Sequence, residues 1–256
     1  MRVSIITTCF NRERTIRGTI ESVLGQDYSD IEYIIIDGAS KDGSLKVINE
    51  YKDRIARIVS EPDGGMYEGL NKGLRMATGD IIGLVHSDDF LYSTDTISHI
   101  VRAFGQTGAD MVYGNGIFVD EQDTTKIVRD WHSGTYKKGK VARGWLPLHP
   151  TVYITKEWLA RCGMYDESYK IAADSEWLVR NLHDLSPKVH YIDEYIVRMR
   201  MGGLSTDPAK MKRKWGEDLR MYRSHGIHPH LALACKIASK VPQFVKAKFK
   251  INQSVT

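Results

Sequence analysis

Four β-type runs in the first 85 residues constrain this chain most: Arg2 to Thr8, Ile31 to Ile36, Ile55 to Ser60 and Ile81 to Val85. Stretches such as Tyr33-Ile34-Ile35-Ile36 stay apolar without alternating, the pattern of strands buried on both faces. Between the runs lie segments of helical spacing. Ile16, Ile20, Val23 and Leu24 mark one within Thr15 to Leu24, and Leu70, Leu74 and Ala77 mark another within Tyr67 to Ala77. Ser44 to Tyr51 also reads as helix. Buried strands alternating with helices predict βαβ units and a largely parallel α/β sheet. Asp95 to Phe104 continues the pattern as a helix and Met111 to Val119 as a strand.

The pattern changes after Asp120. Residues 120–150 carry charges, Gly and Trp without periodicity and read as a loop excursion. Thr155 to Cys162 and Ser175 to Leu182 read as helices and Val189 to Arg200 as a strand. A charged helix is expected over Ala209 to Tyr222, and another over Leu231 to Val245 with a break near Pro242. The expected organisation is a main domain over 1–205, made of halves 1–119 and 120–205, followed by a basic helical extension over 206–256.

Ligands of open α/β sheets bind beyond the carboxyl ends of the strands. At those ends the sequence places polar and acidic groups. Ile81 to Val85 runs into His86-Ser87-Asp88-Asp89. Two adjacent carboxylates repel unless a positive charge lies between them, and a divalent cation carrying a diphosphate answers that need. An Asp pair can also simply cap the next helix. The first run ends in Thr7-Thr8-Cys9-Phe10-Asn11, the second in Asp37 and the third in Glu61-Pro62-Asp63-Gly64-Gly65. Asp37 is placed to accept hydrogen bonds from a ribose or base edge, or to serve a turn together with Asp42. No Gly-x-Gly-x-x-Gly follows the first strand, which disfavours an NAD-binding domain. Asn71 and Lys72 sit on a helix facing the same edge, where Lys72 could meet a phosphate. Asp174 follows a short apolar run, and a partly buried carboxylate there suits a general base. His149 is a lone histidine, more often structural than functional.

Together these segments resemble the family 2 glycosyltransferases, inverting enzymes of the GT-A fold, of the bacterial type that builds exopolysaccharide, capsule or lipopolysaccharide. The resemblance rests on Ser4 to Asn11, Tyr33 to Gly43, Ser60 to Tyr67, Leu70 to Gly73, Ala77 to Asp80 and Ser87-Asp88-Asp89, in that order. It weakens from 90 to 145 and returns at His149-Pro150-Thr151 and Asp174. It implies a GT-A fold with a mostly parallel nucleotide-binding sheet, flanking helices and a C-terminal helical extension. It implies a nucleotide-diphosphate sugar donor, with a UDP-sugar expected, and a glycan or polyprenyl-diphosphate-linked acceptor. Thr8, Asn11, Asp37, Asp63, Asn71, Lys72, Ser87 and Asp88 would bind the donor nucleotide. Asp88 and Asp89 would hold Mn²⁺ or Mg²⁺. Asp174 would be the catalytic base, and Arg198 and Arg200 would close over the diphosphate. His86 and His149 would face the sugars. The chain departs from the family pattern in having His86 at the first position of the Asp-x-Asp element and Ala173 before the base.

Charge supports an anionic partner. Residues 1–130 carry 14 basic against 21 acidic side chains, and residues 131–256 carry 22 against 11. No nucleic-acid motif is visible. Ala232 to Ile251 spaces lysines among large apolar residues, which reads as an interfacial helix that could meet an anionic membrane. Three scattered cysteines, no apparent signal peptide and no long apolar run place the expected enzyme in the cytoplasm, peripheral at the inner membrane face. The rival readings are a sugar nucleotidyltransferase, whose Gly-rich signature is missing, and a non-catalytic nucleotide-sugar or glycan-binding module.

Overall fold

The computed structural model describes residues 1–202, 210–239 and 243. β1 (Val3–Cys9), β2 (Ile31–Asp37), β3 (Arg57–Ser60) and β4 (Ile81–Leu84) form a parallel block in the order β3-β2-β1-β4. Their crossovers are α1 (Ile16–Leu24), α2 (Ser44–Asn49) and α3 (Met66–Met76). The apolar runs are continuous because successive side chains enter different cores. Ile6, Ile34, Ile36 and Ile82 pack with Leu70 and Leu74 of α3 on one face. Ile5, Tyr33, Ile35 and Ile81 pack with Ile16, Ile20 and Val23 of α1 on the other.

Beyond β4 the sheet becomes mixed. β5 (Phe90–Leu91), β6 (Met111–Val119), β7 (Ile127–Trp131), β8 (Tyr153–Thr155) and β9 (Val189–Arg200) complete it, with α4 (Thr96–Thr107) between β5 and β6. β8 lies antiparallel between β4 and β6, β9 runs parallel to β6, and β5 is antiparallel to β9. The expected loop excursion over 120–150 is partly structured. It contains β7, antiparallel to β6, and α5 (Lys138–Val141). β7 was missed because Arg129 and Asp130 occupy buried positions that read as polar surface. β8 was missed because three residues are too few to show a period.

α6 (Lys156–Cys162), α7 (Ala173–Val179), α8 (Met211–Ser224) and α9 (Pro229–Ala238) cover the later half. The expected domain boundary at 205 and most of the expected interfacial helix lie outside the described residues. Within them, α8 packs on the main body. Glu217 accepts the backbone N–H groups of Lys170, Ile171 and Ala172 at 2.9–3.1 Å. Lys236 does not face outward as an interfacial lysine would; it is largely covered and bonds Asp218 at 2.9 Å.

One polar device ties the parallel block together. Buried Glu32 accepts from Ser4 Oγ at 2.6 Å, Thr78 N at 2.7 Å and Thr78 Oγ1 at 2.8 Å. Burial pulls its carboxyl upward, but these bonds and Arg2 outweigh that and hold it below the usual range. A depressed carboxylate contributes stability above its unfolded pKa, and that stability is lost as pH falls through the folded value. Glu32→Gln is expected to cost about 1.5–3 kcal/mol at pH 7. The gap to the parent should narrow below about pH 4; urea melts at pH 7 and pH 3 measure both.

Candidate active site

The carboxyl ends of β1, β2, β3 and β4 open on a cavity of about 550 Å³, which side chains of β7, β9, α7, α8 and α9 also line. Thr8, Phe10 and Arg12 follow β1, while Asp63 and Gly65 precede α3. Gly38 leaves room for the Asp63 carboxylate, which would lie 2.8 Å from any Cβ at that position. Gly65 has φ +128°, a conformation that side chains rarely adopt, at the turn into α3.

His86, Ser87, Asp88 and Asp89 form the turn after β4, and all four line the cavity. Asp88 is the more open carboxylate; Arg12 Nη2 lies 3.9 Å from its Oδ2. Asp89 is only 2% exposed, and its Oδ1 accepts the Arg200 backbone N–H at 3.0 Å. Burial, and then the charge of Asp88, push the Asp89 carboxyl well above the usual range. Arg200 Nη1 donates to the Asp88 carbonyl at 2.9 Å, so the strand end of β9 is locked to this turn. No group of three or more metal-ligating side chains occurs among the described residues. That donor set fits Mg²⁺ or Mn²⁺ held by one or two carboxylates, with phosphates and water completing the shell.

Asp174 stands in the first turn of α7, half-buried, and lines the same cavity. Its Oδ1 accepts the Ser175 N–H at 2.6 Å and lies 3.4 Å from Tyr67 Oη. Tyr67 Oη also bonds the Ile171 carbonyl at 2.8 Å. The Glu217 carboxylate, by gathering three N–H groups just before α7, fixes the turn that presents Asp174. His86 lies within electrostatic reach of both Asp88 and Asp174. Burial lowers its pKa, and the charges of Asp88 and Asp174 oppose that. His149 stacks near it with ring centroids 6.4 Å apart and bonds Tyr165 Oη at 2.8 Å. Burial brings His149 down to about 4, so it is neutral at pH 7.

The cavity gathers Thr8, Asp63, His86, Ser87, Asp88, Asp89, His149, Asp174 and Arg200 from the sequence expectations. Others stand outside its lining. The Asp37 carboxylate is enclosed by Ser40 and Ser60, with Ser60 Oγ at 2.6 Å. Asn11 adopts φ 53° and accepts the Lys41 N–H at 2.8 Å, shaping the loop. The Asn71 amide is spent on Tyr165 and Glu167. Lys72 pairs with Glu61 at 3.0 Å and Glu68 at 3.2 Å. The Arg198 guanidinium lies 4.6 Å over the Tyr92 ring, away from the cavity. For Asp37, Asn11, Asn71 and Lys72 nearby partners already engage the polar group, whereas the Arg198 guanidinium rests on an aromatic face and its buried Nε has no hydrogen-bond partner among the described residues. Conversely, Arg12, Arg129, Trp131, Lys170 and Lys214 line the cavity without having been singled out, as does Lys236, which was expected on an interfacial helix. Only Arg12, directly after the first strand-end motif, carried a local signal.

The family model for Glycosyl transferase family 2 matches residues 4–168. An uncharacterized glycosyltransferase of Mycobacterium tuberculosis is 32% identical over 180 residues, covering 70% of this chain and 68% of the relative. Staphylococcus aureus TarS 1–349 in complex with UDP-GlcNAc superimposes with a TM-score of 0.69 at 17% identity, over 98% of this chain and 73% of that one. The mannosyltransferase PcManGT of Pyrobaculum calidifontis, in complex with GDP-Man and Mn²⁺, gives 0.65 at 17% identity, over 96% and 73%.

Proposed function

The chain belongs to glycosyl transferase family 2 and is a nucleotide-sugar glycosyltransferase of GT-A fold, and from that premise we propose that it inverts a UDP-sugar onto a hydroxyl of a glycan or lipid-linked acceptor in cell-surface polysaccharide synthesis. The observation that carries this reading is that Asp88 and Asp174 line one cavity at the ends of the parallel strands. Thr8, Phe10 and Asp63 offer an aromatic face and polar groups to a nucleoside. UDP-GlcNAc in TarS and GDP-Man with Mn²⁺ in PcManGT support a sugar-nucleotide donor.

Asp174 takes the proton of the acceptor hydroxyl as that oxygen attacks the anomeric carbon, and the diphosphate leaves from the opposite face. Arg200 and Arg12 lie where charge builds on the leaving group. Asp88, with Asp89 next to it in the chain, would hold Mn²⁺ or Mg²⁺, which would supply Lewis-acid stabilisation of that charge. Neutral His86 and His149 line the cavity near Asp174 and contact the sugars. Among the described residues no helix is long and apolar enough to cross a membrane. Exposed Trp215, Leu231 and Ile237 on the basic later half support contact with a membrane surface.

Slow hydrolysis of the donor, with water in place of acceptor, tests the reading. Incubation with UDP-GlcNAc and Mn²⁺ is expected to release UDP and, by proton NMR at early times, the β-anomer of the sugar. Release of the α-anomer would overturn inversion. Donor binding without any turnover, even with added acceptors, would favour a binding module.

A further inference from the structure

α7 runs directly into a π-helical turn, Arg180–Leu185. Such turns are rare and are found mostly at functional sites. Side chains tie this one down. Arg180 donates from Nε to Glu176 at 3.0 Å and from Nη2 to the Met164 carbonyl at 2.7 Å, and Trp177 Nε1 donates to the Gly163 carbonyl at 3.0 Å. Glu176 shares the first turn of α7 with Asp174, and Asp184 lies on the π turn. Both carboxylates reach one ring, that of His225.

His225 closes α8, and its side chain is only 11% exposed. Its backbone N–H bonds the Met221 carbonyl at 3.2 Å, and the Ile227 N–H folds back to Tyr222 at 2.8 Å, which fixes the ring's place. Nδ1 lies 2.6 Å from Asp184 Oδ2, and Nε2 lies 3.4 Å from Glu176 Oε1. A neutral imidazole has one N–H, so its other nitrogen would turn a lone pair on a carboxylate oxygen. Only the imidazolium donates to both. The C-terminal end of a 14-residue helix favours the same positive charge. The bond to Glu176, and then that to Asp184, outweigh burial and raise the His225 pKa above its ordinary value. Arg180 shares Glu176, and His183 Nδ1 shares Asp184 at 2.9 Å. On α8 itself Arg223 is exposed.

We propose that His225, as an imidazolium, is a positioning residue that clasps α7 and the π turn against α8 and so holds Asp174 where it meets the acceptor hydroxyl. This rests on the transferase reading above, in which Asp174 is the base. α8 then grips α7 twice, through Glu217 at the turn before it and through His225 at Glu176. A raised folded-state pKa gives stability that is complete below about pH 6.5 and is lost as pH rises through the folded value. The clasp therefore loosens on the alkaline side, where Asp174 itself stays ionised.

Two readouts on the full chain between about pH 6 and pH 8.5 test it: kcat for hydrolysis of UDP-GlcNAc with Mn²⁺, and amide hydrogen exchange of residues 173–185, corrected for intrinsic rates. UDP binding and turnover are measured first at the lower pH. Absence of both would fail the transferase reading itself, and exchange would still judge the clasp. In the parent, kcat is expected to fall about tenfold across the range while the Kd of UDP stays within about twofold. Protection of 173–185 should fall in step, with that of β1, β2 and β4 unchanged. His225→Gln should be slow and poorly protected at every pH, without the inflection. His225→Lys, a cation up to about pH 10, should keep protection at the alkaline end and serves as the second variant should glutamine disturb the fold. His99→Gln, whose ring also lies between two carboxylates but on α4, should behave as the parent. An unchanged inflection in the folded His225 variants, pH-independent protection of 173–185 in the parent, or equal loss of the inflection in His99→Gln would each overturn the clasp.

Discussion

Asp174→Asn is expected to stop sugar transfer while the donor still binds. Asparagine keeps the size of the side chain, and its oxygen can still accept the Ser175 N–H. It cannot accept the acceptor's proton. Positioned general bases contribute about 10²- to 10⁴-fold, so kcat should fall by that factor. Asp174 is not among the residues proposed to bind the donor, so the donor's Kd should stay within about twofold. The Glu217 clamp on residues 170–172 does not involve the mutated side chain, so melting temperature should barely change. Steady-state rates beside donor titrations separate the two effects. Transfer within tenfold of the parent would remove Asp174 from the role of base.

The second large effect is expected from Asp88→Ala. Asp88 is the open carboxylate of the turn after β4, while Asp89 is buried, raised in pKa and tied to Arg200. Removing Asp88 takes away the side chain best placed to carry a divalent cation to the diphosphate. Loss of that cation's charge stabilisation is worth several kcal/mol, so Mn²⁺-dependent donor affinity should fall about 10²-fold or more. The remaining binding should no longer respond to chelator. Burial chiefly raises the Asp89 carboxyl, and Asp88→Ala removes the second cause, the charge of Asp88. Calorimetric titration of UDP into both proteins, with Mn²⁺ and with chelator, reads the difference. Equal, chelator-sensitive binding by the variant would move the cation elsewhere.

Much of the parallel block is legible from Ile81 to Val85 and its counterparts because full burial writes itself as unbroken apolar sequence. The acids after those strands are legible for the same topological reason: strand ends fix where a ligand can lie. What the sequence conceals is which polar groups are already engaged. Asp37, Asn71 and Lys72 look identical to ligand-facing residues until Ser60, Tyr165 and Glu61 are found beside them. Arg198 and Arg200 differ by two positions on one strand; Arg198 rests on Tyr92 and Arg200 reaches the Asp88 turn. Arg129, Lys214 and Lys236 line the cavity from β7, α8 and α9, which lie more than 100 residues apart in part, so no local spacing announces them.

The most direct test of the central claim is a thermal-shift series with UDP-, GDP-, dTDP- and CMP-sugars, each with Mn²⁺, Mg²⁺ or chelator. A ligand bound only by the folded chain stabilises it by RT ln(1+[L]/Kd). The account predicts stabilisation by UDP-sugars with a divalent cation, reduced by chelator and lost in Asp88→Ala. No stabilisation by any sugar nucleotide under any of these conditions, with the chain folded, would contradict it.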